Sequence, residues 1–313
     1  MGLKLGYLLP TRENIMQDRP SGRLLVDAAK RAHTLGFDSV WAGDSLLARP
    51  RHDPLTLLAA VAGAVPDIEL GTAVLLPALR NPVVLAQQLA TIDQVSEGRL
   101  IVGAGIAADT PPVRAEFQAA GVPFEGRVGR MMEGFRLCKA LWRGEPVEWS
   151  GRWQVESSTL APVPYREGGP PIWIGTGVND GIERTAKNFD GWFPIGPNPE
   201  TFAQRKQFFM DKAHEAGRAN AQLTTAIYLT VAVMDDAEAA DAAINTYLEN
   251  YYSVPAKAMR SFQACFGGPL EQVLAFIHSY IDAGADHVVL RLVGDHEQTM
   301  SKLSAHRQAL DKT

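Results

Sequence analysis

Residues 68–104 read IELGTAVLLPALRNPVVLAQQLATIDQVSEGRLIVGA. The stretch contains a β-branched apolar run at 68–75, an amphipathic run at 82–95 and a second apolar run at 99–104. Short apolar runs that alternate with amphipathic segments of ten or more residues are typical of strands joined by helices in a parallel sheet. The stretch therefore predicts one strand–helix–strand unit.

The same alternation continues in both directions along the chain. Eight candidate strands cover 3–9, 38–42, 68–75, 99–104, 171–175, 191–195, 224–233 and 287–293. Candidate helices lie at 22–35, 54–64, 82–95, 126–142, 180–188, 199–216, 237–248, 270–283 and 298–310. Asp53 and Asn81 each precede a first-turn proline, and Gly36 and Gly217 each follow a helix end. Strands that are each followed by a helix predict an α/β fold of the (β/α)8 TIM barrel type.

Two segments interrupt the repeat. Residues 107–121 predict a long loop with one short helix, and 145–169 contain a predicted hairpin at 147–155 before a proline- and glycine-rich link. Neither segment has enough apolar residues to form a core of its own. The 313 residues are therefore predicted to form one domain, 1–313, with insertions at about 107–121 and 145–169.

Composition and charge exclude several classes of protein. Lysine and arginine total 30 against 35 acidic residues, a net charge of -5 without a basic run, so nucleic acid is not an expected partner. The apolar stretch at the N-terminus is too short for a signal peptide or a membrane span. Cys138 and Cys265 lie far apart in apolar helical patterns and are interpreted as buried thiols. A cytoplasmic protein that binds neither nucleic acid nor membrane is expected.

Functional residues are expected just after the strands, because a barrel of this type carries its active site at the C-terminal strand ends. Three of these ends carry glycine, in Gly103-Ala104-Gly105, in Gly175-Thr176-Gly177 and at Gly196. The second of these motifs leads into a predicted helix, whose first N–H groups suit a phosphate. The alternative is that the glycines only form tight turns.

Polar side chains at the same end are the candidates for catalysis. Asp44 is interpreted either as a base or as a cap of the adjoining turn. His52 lies in the loop after the second strand, where it is either catalytic or bonded to backbone. Arg291 interrupts an apolar strand and either points into the pocket or extends to the surface. The seven histidines show no metal-binding spacing, so no metal site is expected.

Several segments together resemble one known family, the luciferase-like monooxygenases and their flavin- and deazaflavin-dependent relatives. They are LGFDSVW at 35–41, LGTAVL at 70–75, RNPV at 80–83, QLATIDQVSEGRL at 88–100, GAG at 103–105, PPIWIG at 170–175 and DGWFP at 190–194. Each segment is weak alone, but their order and spacing are specific. The resemblance implies a TIM barrel with an insertion, a homodimer, and FMN or a deazaflavin bound at the barrel mouth.

The resemblance also assigns residues to the site. The implied cofactor-binding residues are Thr72, Ala73, Val74, Gly103, Ala104, Gly105, Arg127, Gly175, Thr176, Gly177, Trp192, Ile195 and Gly196. Ala73 and Val74 would lie behind the isoalloxazine ring, near a non-prolyl cis peptide, and the glycines at 175 and 177 would hold the phosphate. Tyr7, Leu76 and Arg291 are expected to line the substrate pocket.

One position departs from the family pattern. Relatives commonly show Asp-His after the second strand, whereas this chain has Asp44-Ser45. That histidine is the usual candidate for proton handling near the flavin. Either Ser45 takes a hydrogen-bonding role instead, or His52 supplies the imidazole, so Asp44, Ser45 and His52 are the catalytic candidates.

The family resemblance leads to a functional expectation. The chain is expected to be a monooxygenase that acts on a small organic substrate with O2 and reduced FMN from a separate flavin reductase, because no nicotinamide site is evident. A dehydrogenase or reductase dependent on the deazaflavin coenzyme F420 is the first alternative. A flavin-binding barrel without turnover is the second.

Overall fold

The computed structural model of the protein describes residues 3–196 and 198–310. The strands in this part of the chain are β1 (Lys4–Leu8), β2 (Ser39–Ala42), β3 (Glu69–Thr72), β4 (Leu100–Ala104), β5 (Val147–Ser150), β6 (Gln154–Ser158), β7 (Ile172–Ile174), β8 (Gly191–Trp192), β9 (Thr224–Val233), β10 (Cys265–Gly268) and β11 (His287–Val293).

The sheet confirms the predicted fold. Its strand order is β10-β9-β11-β1-β2-β3-β4-β7-β8, and β8 also pairs with β9. Neighbouring strands in this sheet pair in parallel, with Gly6 opposite Ser39 and Leu70 opposite Leu100. Eight parallel strands, β1 to β4, β7 to β9 and β11, form a closed TIM barrel within the described residues.

Helices alternate with these strands. They are α1 (Glu13–Met16), α2 (Gly22–Thr34), α3 (Pro54–Ala64), α4 (Pro82–Val95), α5 (Pro111–Ala119), α6 (Arg127–Leu141), α7 (Asn179–Asn188), α8 (Pro199–Glu215), α9 (Ala237–Tyr252), α10 (Ala256–Arg260), α11 (Leu270–Asp282), α12 (His296–Ala305) and α13 (Arg307–Leu310). A 3-10 turn forms at Pro77–Leu79. The single helix predicted at 298–310 is divided, because α12 ends before His306.

Local start signals act as predicted at two helices. Asp53 accepts a hydrogen bond from the Thr56 amide at the start of α3. Asn81 accepts hydrogen bonds from the amides of Val83 and Val84 at the start of α4. Both helices begin at the proline that follows the cap, because proline has no N–H to leave unsatisfied there.

The two interruptions of the repeat also contain the predicted elements. Helix α5 lies within 107–121, and β5 and β6 pair antiparallel as the predicted hairpin. Cys138 is buried in α6, and burial raises its pKa to about 12. The helical placement of Cys265 is wrong, since this residue begins β10. An apolar run as short as this strand does not show whether its residues follow helical or strand periodicity.

The contacts between residues group the chain into two compact units. Within the described residues, the first unit comprises 3–9, 28–41 and 173–310, and the second comprises Pro10–Asp27 and Ala42–Ile172. The single domain expected over 1–313 stays a prediction. No helix in the described part of the chain is long and apolar enough to cross a lipid bilayer.

Candidate functional site

Asp44, in the second unit, is held by an ion pair and a backbone amide. Its Oδ1 accepts from Arg80 Nη2 at 3.1 Å, and its Oδ2 accepts from Arg80 Nη1 and from the Leu76 amide at 2.8 Å. Arg80 also pairs with Asp53 at 3.2 Å. Burial opposes the charge of Arg80, but the attraction and hydrogen bonds of the two aspartates raise its pKa. Both oxygens of Asp44 are engaged, as the capping interpretation requires.

Ser45 is bonded to a carboxylate that sequence reasoning missed. Its hydroxyl donates to Glu116 Oε2 at 2.7 Å and accepts from the Arg49 amide at 2.9 Å. Glu116 lies in α5 and is 1% exposed. Its helical neighbours Val113 and Phe117 are also buried. A carboxylate on the apolar face of a short helix was the available signal, because ionised groups are rarely buried without a partner.

His52 is tied to backbone. Its Nε2 lies 3.0 Å from the Pro20 carbonyl and its Nδ1 lies 3.5 Å from the Thr11 carbonyl. The ring thus faces two acceptors, as in the backbone-bonded interpretation. The catalytic role considered for His52 stays a prediction.

The structure brings the implied ring-binding residues of the second unit together. Thr72 donates from its hydroxyl to the Gly103 carbonyl at 2.7 Å. Ala73 and Val74 are joined by a cis peptide bond. A Cβ on Gly105 would lie 2.7 Å from Cγ2 of Val74, so only glycine fits there. The ends of β3 and β4 therefore form one backbone-lined surface, on which the Val74 side chain packs against Gly105.

Two further predicted residues of this unit lie beside an apolar cluster. Arg127 begins α6, donates to the Ile106 carbonyl at 2.8 Å and lies 3.9 Å from the centre of the Phe124 ring. Leu76 is buried in the same cluster as Phe124. Ala104, which ends β4, is fully buried. The expected contacts of these residues with cofactor or substrate stay predictions.

In the first unit, the Gly175–Gly177 loop is shaped by a buried indole. Trp192 Nε1 donates to the Thr176 carbonyl at 2.8 Å, and its ring stacks on Phe202 at 5.0 Å. Helix α7 follows the loop, and Val178 before it provides no side-chain cap. The first N–H groups of an uncapped helix have no intrahelical acceptor. The Val178 amide donates to Thr176 Oγ1 at 3.5 Å, whereas the next amides, at the start of α7, have no acceptor among the described residues and are the donors available to a phosphate.

A guanidinium that the sequence did not indicate lies beside this loop. A Cβ on Gly177 would lie 3.6 Å from Nη1 of Arg205 and within 4 Å of no other described atom beyond its chain neighbours. Arg205 belongs to α8 and has no hydrogen bond or ion pair with the described residues. Its proximity depends on how α7 and α8 pack together, which no local pattern reports.

Ile195 and Gly196 contact another loop of the same unit. The Ile195 carbonyl accepts from the Ala264 amide at 2.8 Å. A Cβ on Gly196 would lie 2.3 Å from the Phe262 carbonyl oxygen, so glycine is required by the close approach of backbone. The side chains of Ile195 and Phe262 are exposed.

The side chain of Tyr7 is packed inside the first unit. Its hydroxyl bonds to Nδ1 of His296 at 2.7 Å, and its ring makes edge contacts with Phe37 and His296. The side chain is 1% exposed. The pocket-lining role expected for Tyr7 has no contact that supports it and stays a prediction.

Arg291 is buried in a cage of polar and aromatic groups. It donates to the Thr230 hydroxyl, the Gln263 side-chain carbonyl and the Tyr252 hydroxyl. Its guanidinium carbon lies 5.1–5.5 Å from four tyrosine rings, those of Tyr228, Tyr247, Tyr251 and Tyr252. Burial opposes the charge, but the tyrosines raise the pKa of Arg291 well above its ordinary value. Arg291 therefore does not extend to the surface, and none of these partners is a carboxylate.

Comparison with known proteins gives matches along most of the chain. A sequence profile of the family described as "Luciferase-like monooxygenase" matches residues 3–312. Two curated relatives, both named F420-dependent glucose-6-phosphate dehydrogenase, are 28% identical to this chain. The protein of Nocardia farcinica (strain IFM 10152) aligns over 88% of this chain and 89% of its own length. That of Rhodococcus erythropolis (strain PR4 / NBRC 100887) aligns over 95% and 93%.

A solved structure supports the same architecture. The structure of "F420-dependent secondary alcohol dehydrogenase in complex with an F420-acetone adduct" superposes with a TM-score of 0.84 and covers 99% of both chains. At 19% sequence identity this likeness shows the fold.

The expectation of an FMN-dependent monooxygenase is wrong. The two curated relatives named above, which align along most of the chain, are dehydrogenases named for F420. The residues that suggested a flavin, such as Ala73, Val74 and Gly105, would contact a ring through backbone and shape, and these features do not distinguish a flavin from a deazaflavin. The flavin reductase belonged to the same expectation and has no support from these relatives.

Proposed function

Since the chain belongs to the luciferase-like monooxygenase family, we propose that it is a dehydrogenase or reductase dependent on coenzyme F420. The family resemblance seen in the sequence is confirmed by the match over residues 3–312, and the chain is an oxidoreductase. The observation that carries the proposal is the alignment of F420-dependent enzymes over 88–95% of this chain.

Each unit, taken by itself, has residues that suit a part of this cofactor. In the second unit, the backbone-lined surface around Val74 and Gly105 offers a flat deazaflavin ring a wall of backbone and the aliphatic side chain of Val74. In the first unit, the uncapped start of α7, the open space at Gly177 and the guanidinium of Arg205 suit an anionic phosphate group. Coenzyme F420, when bound, supplies two-electron hydride chemistry, while the protein supplies binding, orientation and proton handling.

The substrate that we propose is a small alcohol or hemiacetal. The curated relatives are named for glucose 6-phosphate, and the solved structure is that of a secondary alcohol dehydrogenase. Both names describe oxidation of a carbon that carries a hydroxyl group. We therefore infer that this chain oxidises such a C–OH group or reduces the corresponding carbonyl.

Direct titration tests the proposal. Coenzyme F420 and FMN are each added to the purified protein, and binding is followed by fluorescence. We expect micromolar affinity for F420 and at least about tenfold weaker binding of FMN, a difference of about 1.4 kcal/mol. Tighter binding of FMN would overturn the proposal.

Turnover separates an enzyme from a binding protein. Loss of F420 absorbance is measured with glucose 6-phosphate and with 2-propanol as probes, and we expect reduction with one of them. F420 binding without reduction by either probe contradicts the proposed substrate class. Size-exclusion chromatography in the same buffer tests the homodimer, which remains a proposal together with the cytoplasmic location.

A further inference from the structure

Glu116 is an unusual carboxylate among the described residues of the second unit. Its Oε2 accepts from the Ser45 hydroxyl at 2.7 Å and from the amides of Leu47 and Ala48 at 2.7 and 2.9 Å. Its Oε1 is buried and has no partner. No described Lys, Arg or His forms an ion pair with it, in contrast to Asp44 and Arg80. One oxygen thus accepts three hydrogen bonds, whereas the other is buried with no partner among the described residues.

Ser45 has hydrogen-bonding capacity left over. A serine hydroxyl donates once and accepts twice. The donor is used on Glu116, and one acceptor position is used by the Arg49 amide. The second acceptor position remains for a hydroxyl group from outside the protein. The Ser45 hydroxyl can therefore accept a proton from one group while its own proton passes to another.

The chain segment before Ser45 lies against the backbone-lined surface. The Ala73 amide donates to the Ala42 carbonyl at 2.8 Å, and a Cβ on Gly43 would lie 3.4 Å from the Ala73 carbonyl oxygen. The carboxylate of the intervening Asp44 is occupied by Arg80 and by the Leu76 amide. Ser45 is therefore the candidate at this strand end that retains a free position for substrate.

We propose that Ser45 is a catalytic residue that relays the proton of an alcohol or hemiacetal substrate to Glu116. This inference rests on the proposed function, which supplies the deazaflavin as the oxidant. The substrate O–H and C–H bonds break and a C=O bond forms. The hydride leaves with its electron pair to the deazaflavin, the hydroxyl proton moves to Ser45 Oγ, and the proton of Ser45 moves to Glu116 Oε2. In carbonyl reduction the same protons move in reverse.

A purely structural role is the alternative. Glu116 anchors the 45–48 turn through three hydrogen bonds, and loss of that anchor alone would also impair the site. The two roles differ in proton exchange. A relay requires Glu116 to gain and lose a proton through Ser45, whereas an anchor keeps one protonation state throughout.

Infrared difference spectroscopy of the apoprotein tests proton exchange without cofactor. Spectra at acid and neutral pH are compared for the wild type, Glu116→Gln, Ser45→Ala and the control Glu125→Gln, whose exposed carboxylate pairs with Arg114. We expect a carboxylic-acid band that titrates in the wild type and the control, vanishes in Glu116→Gln and shifts in Ser45→Ala. Absence of the band throughout the pH range in which the protein stays folded overturns the relay.

The second experiment measures the kinetics of the protein with F420 bound. We expect Ser45→Ala and Glu116→Gln to bind F420 within twofold of the wild type and to lose at least about 100-fold in kcat, the usual contribution of general acid–base catalysis. The double variant should lose no more than either single variant, since both act in one step. The acidic limb of the pH profile of kcat/KM should disappear in Glu116→Gln.

The infrared and kinetic experiments together distinguish failure of the proton relay from failure of the proposed function. Normal F420 binding with more than half of the wild-type kcat in both single variants overturns the relay and leaves the proposed function in place. Failure of the wild type to bind F420 overturns the proposed function, and the infrared spectra alone then decide whether Glu116 can take up a proton while it is bonded to Ser45. If Glu116→Gln does not fold, Ser45→Ala carries both experiments, because it leaves the carboxylate in place.

Discussion

Arg80 and Arg291 are both withdrawn from water, but their surroundings differ in kind. Arg80, in the second unit, pairs with the carboxylates of Asp44 and Asp53. Arg291, in the first unit, is held by hydroxyl groups, an amide oxygen and tyrosine rings. The first arrangement neutralises the charge, whereas the second disperses it over lone pairs and π-electrons.

The difference determines what each arginine leaves behind when it is removed. Without Arg80, the carboxylate of Asp44, whose side chain is 1% exposed, keeps its charge and loses its counterion. Without Arg291, only neutral acceptors lose a donor, and Gln263 already donates to Tyr252 on its own at 2.7 Å. A stranded charge costs more than unpaired neutral groups, so the two regions should respond differently to the same substitution.

The largest effect is expected for Arg80→Met. This change strands Asp44 and should lower the free energy of unfolding by about 3–5 kcal/mol, as for other broken buried ion pairs. Urea unfolding followed by circular dichroism measures it. The matched control is Arg114→Met, which removes an exposed arginine paired with Asp109 and Glu125 and should leave stability nearly unchanged. Equal losses in the two variants would show that burial of the pair has no energetic role.

Arg291→Met should cost less, about 1–3 kcal/mol, because methionine packs well against aromatic rings and no charge is stranded. Arg291→Lys should be at least as destabilising as Arg291→Met, since an ammonium group is strongly hydrated and cannot reproduce the planar fork of donors. The same unfolding experiment measures both. A loss larger than that of Arg80→Met, or a Lys variant as stable as the wild type, would contradict the comparison.

Some of this contrast was accessible from the sequence and some was not. The repeat of strands and helices and the caps Asp53 and Asn81 are local features, and local patterns predicted them well. The surroundings of Arg291 were not accessible, because every residue of β11 is buried and alternation therefore reveals no inner or outer face. The strand β10 escaped notice because its sequence, CFGG, has two glycines and no β-branched residue and so lacks the usual strand composition.

The candidate site shows the same limit. Ser45 and Glu116 are 71 residues apart, so their hydrogen bond depends on how α5 packs within the second unit. The choice between FMN and F420 was missed for another reason. Backbone groups and glycines recognise the shape of a ring and the charge of a phosphate, which both cofactors share.

His287 is also a buried base, but its charge, unlike that of Arg80 and Arg291, depends on pH. His287 is buried in the first unit, bonded to Ser39 through Nε2 at 2.7 Å, and burial together with Lys4 and Arg307 lowers its pKa to about 3. The unfolded chain binds a proton near pH 6.5, so it holds more protons than the folded chain between about pH 6.5 and pH 3. Stability should therefore fall as the pH is lowered through this range, by about 2 kcal/mol between pH 7 and pH 5.

Urea unfolding as a function of pH checks this expectation. His287→Gln keeps a polar group near Ser39 and should flatten the slope between pH 7 and pH 5. His214→Gln, at an exposed position of α8, should keep the wild-type slope. A wild-type slope in His287→Gln would mean that other groups produce the acid sensitivity.

The smallest effect on stability is expected for Arg205, which has neither a carboxylate partner nor a tyrosine cage among the described residues. Arg205→Met should leave the urea midpoint unchanged, because this guanidinium has no bonded partner among the described residues. The same variant should bind F420 about tenfold more weakly, since a charge-assisted hydrogen bond to an anion is worth about 1.5–3 kcal/mol when fully formed. Arg184→Met, on α7 itself, is the control for general charge. Equal affinity in the wild type and Arg205→Met would place the anionic group elsewhere, whereas loss of stability would mean that Arg205 is a structural arginine like Arg80.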